Sequence, residues 1–193
     1  IGVIKEFFQV PLDPEVRQAV ERAVGVLDDL GAVVTEVSWP MYHYAGAIFS
    51  AVVLADVAGS LRQLVLEHGS DIDATVRQRI EAGFFIPITR YLQAQRARAI
   101  LNRQSYDLLK QVDILAGPTL AVPAPKIGDA EVTVAGKKMH VYTALIQYTR
   151  PYNLNGLPTI SVPCGFSSNN LPIGLQLAGR AFDEETVLRV AHA

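Results

Sequence analysis

The sequence predicts an α/β chain in which a mixed, largely buried sheet is flanked by helices, and three observations carry that expectation. Strand-like and helix-like patterns alternate along the chain. Two short, partly β-branched runs, Thr159 to Pro163 and Ile173 to Gly179, are bounded by turn formers and read as a pair of core strands. A strand, a capped helix and a second strand open the chain in succession. Half of the 193 residues are hydrophobic, enough to fill a sizeable core, so residues 1–193 are read as a single unit: one domain or one large fragment of a domain.

Ile1 to Lys5 is the first strand. At Asp13-Pro14-Glu15 a helix begins, because the Asp carboxylate can accept free N–H groups of the first turn and Pro fits there at little cost. Val16, Ala19, Val20, Ala23, Val24, Leu27 and Leu30 recur at helical spacing, and Gly31 ends the run. Ala32 to Trp39 reads as a strand stopped by Pro40, and strand, helix, strand implies a right-handed crossover between parallel neighbours.

Tyr42 to about His68 is predicted to be a buried helix. Gly46 and Gly59 would allow close backbone approach, and Asp56, among apolar neighbours, would be a hydrogen-bonded carboxylate. A third helical region, Asp73 to Gln111, should break near Gly83 and Pro87. Arg90, Arg96, Arg98, Arg103 and Lys110 in its second half read as a solvated basic face, since they lack aromatic partners for nucleic-acid stacking. Ile114 to Gly117 is a strand, Glu131 to Val141 a hairpin turning at Ala135-Gly136-Lys137, and Glu184 to Ala193 a helix. Both ends read as cut: Ile1 lies inside a strand, and the last helix stops without a cap.

Composition narrows the function classes. A net charge of -2 with both signs interspersed gives no electrostatic reason to expect nucleic acid or a membrane surface as a partner, and no apolar run reads as a bilayer span. The single cysteine, Cys164, cannot form an internal disulfide, which suits the cytoplasm, and it reads as a small buried hydrophobe. His43, His68, His140 and His192 form no ligand pair, so no metal is expected. The glycines punctuate strands rather than open a helix, so no nucleotide or other cofactor is expected.

The most informative stretch is Tyr148 to Arg180. It holds Pro151, Asn153, Gly156, Pro158, the run Ser161-Val162-Pro163, and Leu171 to Gln176 with Gly179. With Asp113 to Thr119 and Pro123-Ala124-Pro125 upstream, it resembles the C-terminal part of the amidase signature family, in order and over nearly the whole chain. The resemblance implies the C-terminal portion of the amidase signature fold and cleavage of a carboxylic amide. Family members use a Ser, cis-Ser, Lys triad set in a Gly/Ser-rich segment N-terminal to everything present here, so no catalytic residue is assigned. Ser167-Ser168, followed by Asn169-Asn170, reads as a solvated turn. The implied partners are a small amide substrate and the N-terminal remainder of the same protein, with self-association of the isolated fragment through an exposed apolar margin.

The resemblance also suggests pocket residues. Arg79-Ile80-Glu81-Ala82-Gly83 looks like the helix with which one family member, the A subunit of glutamyl-tRNA(Gln) amidotransferase, presents an arginine to the substrate carboxylate; the alternative is an arginine paired with an acidic neighbour. Where that family member holds the substrate ammonium with an acid, this sequence has Ile146, which favours a neutral or carboxylate-bearing amide. Thr143, Ile146 and Gln147 are acyl-pocket candidates or ordinary helix packing, and Asn153 is either near the site or structural. Three parents follow: an amidase, the amidotransferase component, or a catalytically silent binding or scaffold module.

Overall fold

A computed structural model describes all 193 residues. Strand β1 (Gly2–Ile4) lies parallel to β2 (Thr35–Val37) on one side and to β3 (Leu115–Pro118) on the other. β7 (Pro172–Ala178) runs antiparallel to β3, and β6 (Thr159–Phe166) antiparallel to β7, giving a mixed sheet in the order β2-β1-β3-β7-β6. A separate hairpin pairs β4 (Glu131–Val134) with β5 (Lys137–His140). Helix α1 (Pro14–Asp29) packs against β3, β6 and β7, joined by α7 (Glu184–His192), while α2 (Ala45–His68) packs with α3 (Ala74–Gly83), α4 (Ile88–Leu108) and α6 (Arg150–Asn155). The short α5 (Val141–Ile146) follows the hairpin.

The local signals act as expected at α1. The Asp13 carboxylate accepts the N–H groups of Glu15 and Val16, and Gly31, at φ +97°, takes the left-handed conformation just past the helix end. The β1-α1-β2 unit is the parallel crossover, although β2 is only three residues long. The break between α3 and α4 falls at Gly83 to Pro87, and Ala135 and Gly136, both at positive φ, turn the hairpin.

Several expectations are corrected. β6 is an edge strand with exposed Thr159, Ser161 and Pro163, because of this pair only β7 lies inside the sheet; an edge also tolerates Pro163, which has no N–H to give a neighbour. α2 is not wrapped in protein. With its flanking turns it is long and apolar enough to cross a membrane by length and composition alone, contrary to expectation, and its buried residues are Ala45, Ile48, Val52 and Ala58. Asp56 is exposed, so it needs no internal partner. Gly59 meets no neighbour; the close approach is at Gly83, where a Cβ would overlap the Leu54 carbonyl oxygen and lie 2.7 Å from Ala58 Cβ. Arg98, assigned to a solvated face, instead donates from Nε to the Leu154 carbonyl (2.6 Å) and ties α4 to α6. Cys164 is half-buried, beside an apolar hollow of about 470 Å³ between α1, the sheet and α7, and burial pushes its thiol pKa up.

The sheet and the helical layer meet around Phe7. Its ring lies 4.7 Å from Tyr42 and 5.2 Å from Tyr148 between centroids, with Tyr152 at 6.3 Å, and Trp39 contacts Tyr152 at 5.6 Å. A Cβ at position 117 would stand 2.5 Å from the Phe7 ring, so Gly117 is the notch in β3 that admits it. Two of the cluster's polar tips pair with backbone carbonyls: the Tyr148 hydroxyl donates to that of Phe7 (3.0 Å) and Trp39 Nε1 to that of Leu101 (3.2 Å).

Glu6, buried beside this cluster, accepts from the Ser38 hydroxyl (2.6 Å) and from the Trp39 N–H (2.8 Å). Burial acts to raise its pKa, but these hydrogen bonds outweigh it and hold the carboxyl below its ordinary value. A lowered folded-state pKa means stabilisation above the unfolded value that is lost as pH falls through the folded one. Glu6→Ala is expected to destabilise the chain by about 1–3 kcal/mol at neutral pH, since the Trp39 N–H loses its acceptor. Urea titrations should show the gap between wild type and variant narrowing below about pH 4.

Candidate functional site

Four helices bring cationic and aromatic groups together at one point of the helical layer. α5 begins where His140 Nδ1 accepts the Tyr142 N–H (3.2 Å), so this histidine caps a helix, which fixes Tyr142 in the first turn. Over the Tyr142 ring lies the Arg79 guanidinium, its carbon 3.4 Å from the ring centroid. The acid on the same stretch of α3, Glu81, pairs with Arg77 at 3.5 Å instead. The alternative expectation, Arg79 paired with an acidic neighbour, is therefore not realised.

A second guanidinium approaches from α6. Arg150 lies 5.8 Å from the Tyr142 centroid and 5.8 Å from that of Phe49 on α2. Gly46 on α2 makes room: a Cβ there would be 3.0 Å from Arg150 Nη1. Desolvation lowers the Arg150 pKa, and repulsion from Arg79 adds to it, against the pull of Tyr142 and Tyr42. Laid end to end, the two ring distances put both cations within about 9 Å of each other, inside a Debye length of ~10 Å at 0.1 M salt.

The other sequence-derived candidates are distributed differently. Thr143 and Ile146 lie half-buried on α5 next to Tyr142, and Ile146 offers its carbonyl to the Thr149 hydroxyl (3.2 Å). Gln147 donates from Nε2 to the Pro11 carbonyl (3.1 Å), which anchors the loop before α1 and uses the side chain structurally. Asn153 is exposed on α6, its backbone N–H bonded to Thr149, one turn before Gly156 closes the helix at φ +69°. Thus Arg79 converges with the start of α5, while Gln147 bonds the loop before α1 and Asn153 is exposed on α6.

Sequence reasoning passed over Tyr142 and Arg150. The signal at Arg150 was available: a basic residue set in the aromatic run Tyr148-Thr149-Arg150-Pro151-Tyr152 needs an explanation, because such a setting desolvates the charge. Tyr142 had no signal, since only the packing of α3 against α2 brings Arg79 to it.

On the sheet, the Thr119 and Ser161 hydroxyls share a hydrogen bond (2.6 Å) above Gly174, where a Cβ would be 2.6 Å from Ser161 Oγ. Beside them Gln176 is buried with its Oε1 unpaired. No group of three or more His, Cys, Asp or Glu side chains is arranged to hold a metal ion.

The family profile described as Amidase matches residues 1–188. The chain is 36% identical to the A subunit of glutamyl-tRNA(Gln) amidotransferase from Myxococcus xanthus and 35% identical to an amidase of Pseudomonas putida, in each case over its whole length but only 44% and 41% of theirs. Among solved structures, that of an amidase superposes with a TM-score of 0.90 at 29% identity, covering 100% of this chain and 43% of the other. The A subunit of the glutamyl-tRNA(Gln) amidotransferase of Thermotoga maritima gives 0.76 at 32% identity, covering 98% of this chain and 40% of that one. The chain spans less than half the length of the relatives it matches.

Gly83 sets where α3, and hence Arg79, sits on α2. Gly83→Ala is expected to cost about 1–3 kcal/mol through overpacking. Thermal unfolding should report the loss, and Arg79 should leave the Tyr142 ring, visible as a change in Tyr142 ring-proton chemical shifts.

Proposed function

The chain belongs to the amidase signature family, and from that premise we propose that the protein carrying it is a serine-dependent amidase, hydrolysing a carboxylic amide to an acid and ammonia or an amine. In this reading the present residues shape the acyl pocket, and the Ser, cis-Ser and Lys come from residues outside them. Amide cleavage needs an activated serine, a base that relays its proton and N–H donors for the oxyanion. Holding the acyl group still is the complementary task, and it is worth several orders of magnitude when the reacting carbonyl is correctly placed.

The observation that carries the reading is Arg79, stacked on Tyr142 with its pairing edge left unmatched by any acid of this chain. A planar guanidinium fixed in orientation and free to bond is suited to gripping a carboxylate through two parallel hydrogen bonds. Thr143 and Ile146, on the same short helix as Tyr142, would supply a neutral wall, which suits an amide without an α-ammonium group. Asn153 and Gln147 belong to the edge and scaffold of that pocket.

The second reading, the A subunit of a tRNA-dependent amidotransferase, is favoured by the identity to such proteins, 40% for that of Brevibacillus brevis. Ile146 at the ammonium-binding position speaks against it. A silent scaffold role is the third. The proposed setting is the cytoplasm, consistent with one free cysteine, and the proposed partners are the rest of the protein and a small amide. Exposed Phe84 and Phe85, between α3 and α4, and Phe166, at the end of β6, are separate apolar points through which the isolated chain would self-associate.

The chain by itself is expected to hydrolyse no simple primary amide; turnover by these residues alone that serine reagents abolish would overturn the assignment. In the complete protein, Arg79→Ala should raise KM for carboxylate-bearing amides about tenfold or more, the worth of a charged hydrogen bond, and leave neutral amides nearly unchanged. Steady-state kinetics on paired substrates checks this, and equal losses would remove Arg79 from the pocket. Glutaminase activity that depends on co-purified partner proteins would favour the amidotransferase.

A further inference from the structure

Arg150 is a cation without a counterion. Its Nε is buried and has no hydrogen-bond acceptor. The ion pairs of the chain, Arg17–Glu21, His68–Asp71, Arg77–Glu81, Lys110–Asp107, Lys138–Glu131 and those of Arg180 with Asp113 and Asp183, leave it and Arg79 out. The titratable groups that act on it are Tyr142, Tyr42 and Arg79, with no carboxylate among them.

This deficit is local, not compositional. The chain has 19 acidic residues against 17 Lys and Arg, yet none is placed here. Drawing a guanidinium partly out of water without an acceptor is unfavourable, and a second one nearby adds repulsion. Ring faces offset part of that cost but leave the N–H edge unsatisfied. The absent side chain of Gly46 keeps open the space beside Nη1, and Pro151 and Tyr152, both buried, hold the next residues rigid.

We propose that Arg150 is a specificity-determining residue: with Arg79 it forms a two-arginine clamp, joined through the Tyr142 ring, for a carboxylate carried by the amide substrate. The substrate class is then an anionic amide, such as a monoamide of a dicarboxylic acid, rather than a neutral one. The anion pairs with the Nη donors that the chain leaves bare and cancels the repulsion between the two cations. Naming the ligand a substrate rests on the amidase reading; the anion clamp itself does not.

The test has two arms. In the complete protein, kcat/KM is compared for glutaramate and for its neutral methyl ester. Arg150→Gln should lose about tenfold or more on glutaramate, with little change on the ester, and Arg150→Lys should recover only part of it because a point charge replaces a fork. Loss on neither substrate, or equal loss on both, as when a carboxylate from elsewhere in the protein fills the clamp, overturns the proposal and leaves the amidase reading standing.

The second arm needs no turnover: glutarate is titrated against the complete protein, with glutaramide as neutral control. Glutarate binding that Arg150→Gln abolishes supports the clamp even where no amide is hydrolysed, and equal affinity for the two probes overturns it. Gly46→Asp guards against a misfolded Arg150 variant. It sets a carboxylate beside Nη1 in the first turn of α2, where an acid is favourable, so it should raise the melting temperature while weakening glutarate binding. Unchanged glutarate affinity in that variant counts against the clamp.

Discussion

The structure depends on one packing arrangement, the insertion of the Phe7 ring between the sheet and the tyrosines of the helical layer. Gly117 provides the notch, Tyr42 and Tyr148 the walls, and the Tyr148 hydroxyl closes on the Phe7 carbonyl. Aromatic rings suit this joint because each buries a large area with few rotatable bonds, and their polar tips can still be satisfied inside. Glu6, the preceding residue, reaches the other way to Ser38 and Trp39 and ties the end of β2 to the same joint. The segment from Lys5 to Phe8 is thus the hinge pin of two layers that otherwise share few elements.

From that joint the cationic site follows by short links. Tyr148 and Tyr152 flank Arg150 in sequence, so fixing their rings fixes the start of α6 and the direction of its arginine. α4 secures the far end of α6 through Arg98 and through Tyr106, whose hydroxyl donates to the Asn155 carbonyl (3.2 Å), while Asn155 bonds Ser105 (3.2 Å). α3 is set by its contact with α2 at Gly83, and α5 by the His140 cap. Each of these contacts is modest in energy, about 1 kcal/mol apiece for a neutral hydrogen bond, but together they hold two like charges on one ring. A surface arginine pair would relax apart; these are restrained by elements that have other reasons to be where they are.

The sheet shows the same division of labour. β7 is buried and contributes Leu175 and Leu177 to the α1 side, while Gln176 and Gly174 face the opposite side with Ser161 and Thr119. β6 keeps one hydrogen-bonding edge free, with Pro163 and a bulge before Gly165 that twist it, features common at unpaired edges. The unpaired Gln176 Oε1 and the open Ser161 make this corner polar where the rest of that face is aromatic. It differs in kind from the arginine site, having acceptors and hydroxyls but no charge.

The letters alone determined those features in which a short-range rule has a single outcome. Asp13-Pro14 starts α1, Gly31 ends it at positive φ, Ala135-Gly136 turns the hairpin, and the Tyr148 to Gly179 stretch announces both the strand pair and the family, whereas the short helix that Gly156 closes went unread. What only the tertiary structure decided are the outcomes that turn on which face meets which. Composition marked α2 as apolar but could not say that one side stays uncovered. It marked both β6 and β7 as strands but could not say which lies at the edge. A resemblance pointed to Arg79, yet its ring partner Tyr142 and its companion Arg150 lie 63 and 71 residues further along, and no local rule links charges across such a distance. Their meeting is a consequence of helix packing, in which side chains come together through surfaces that the chain forms only after it has folded.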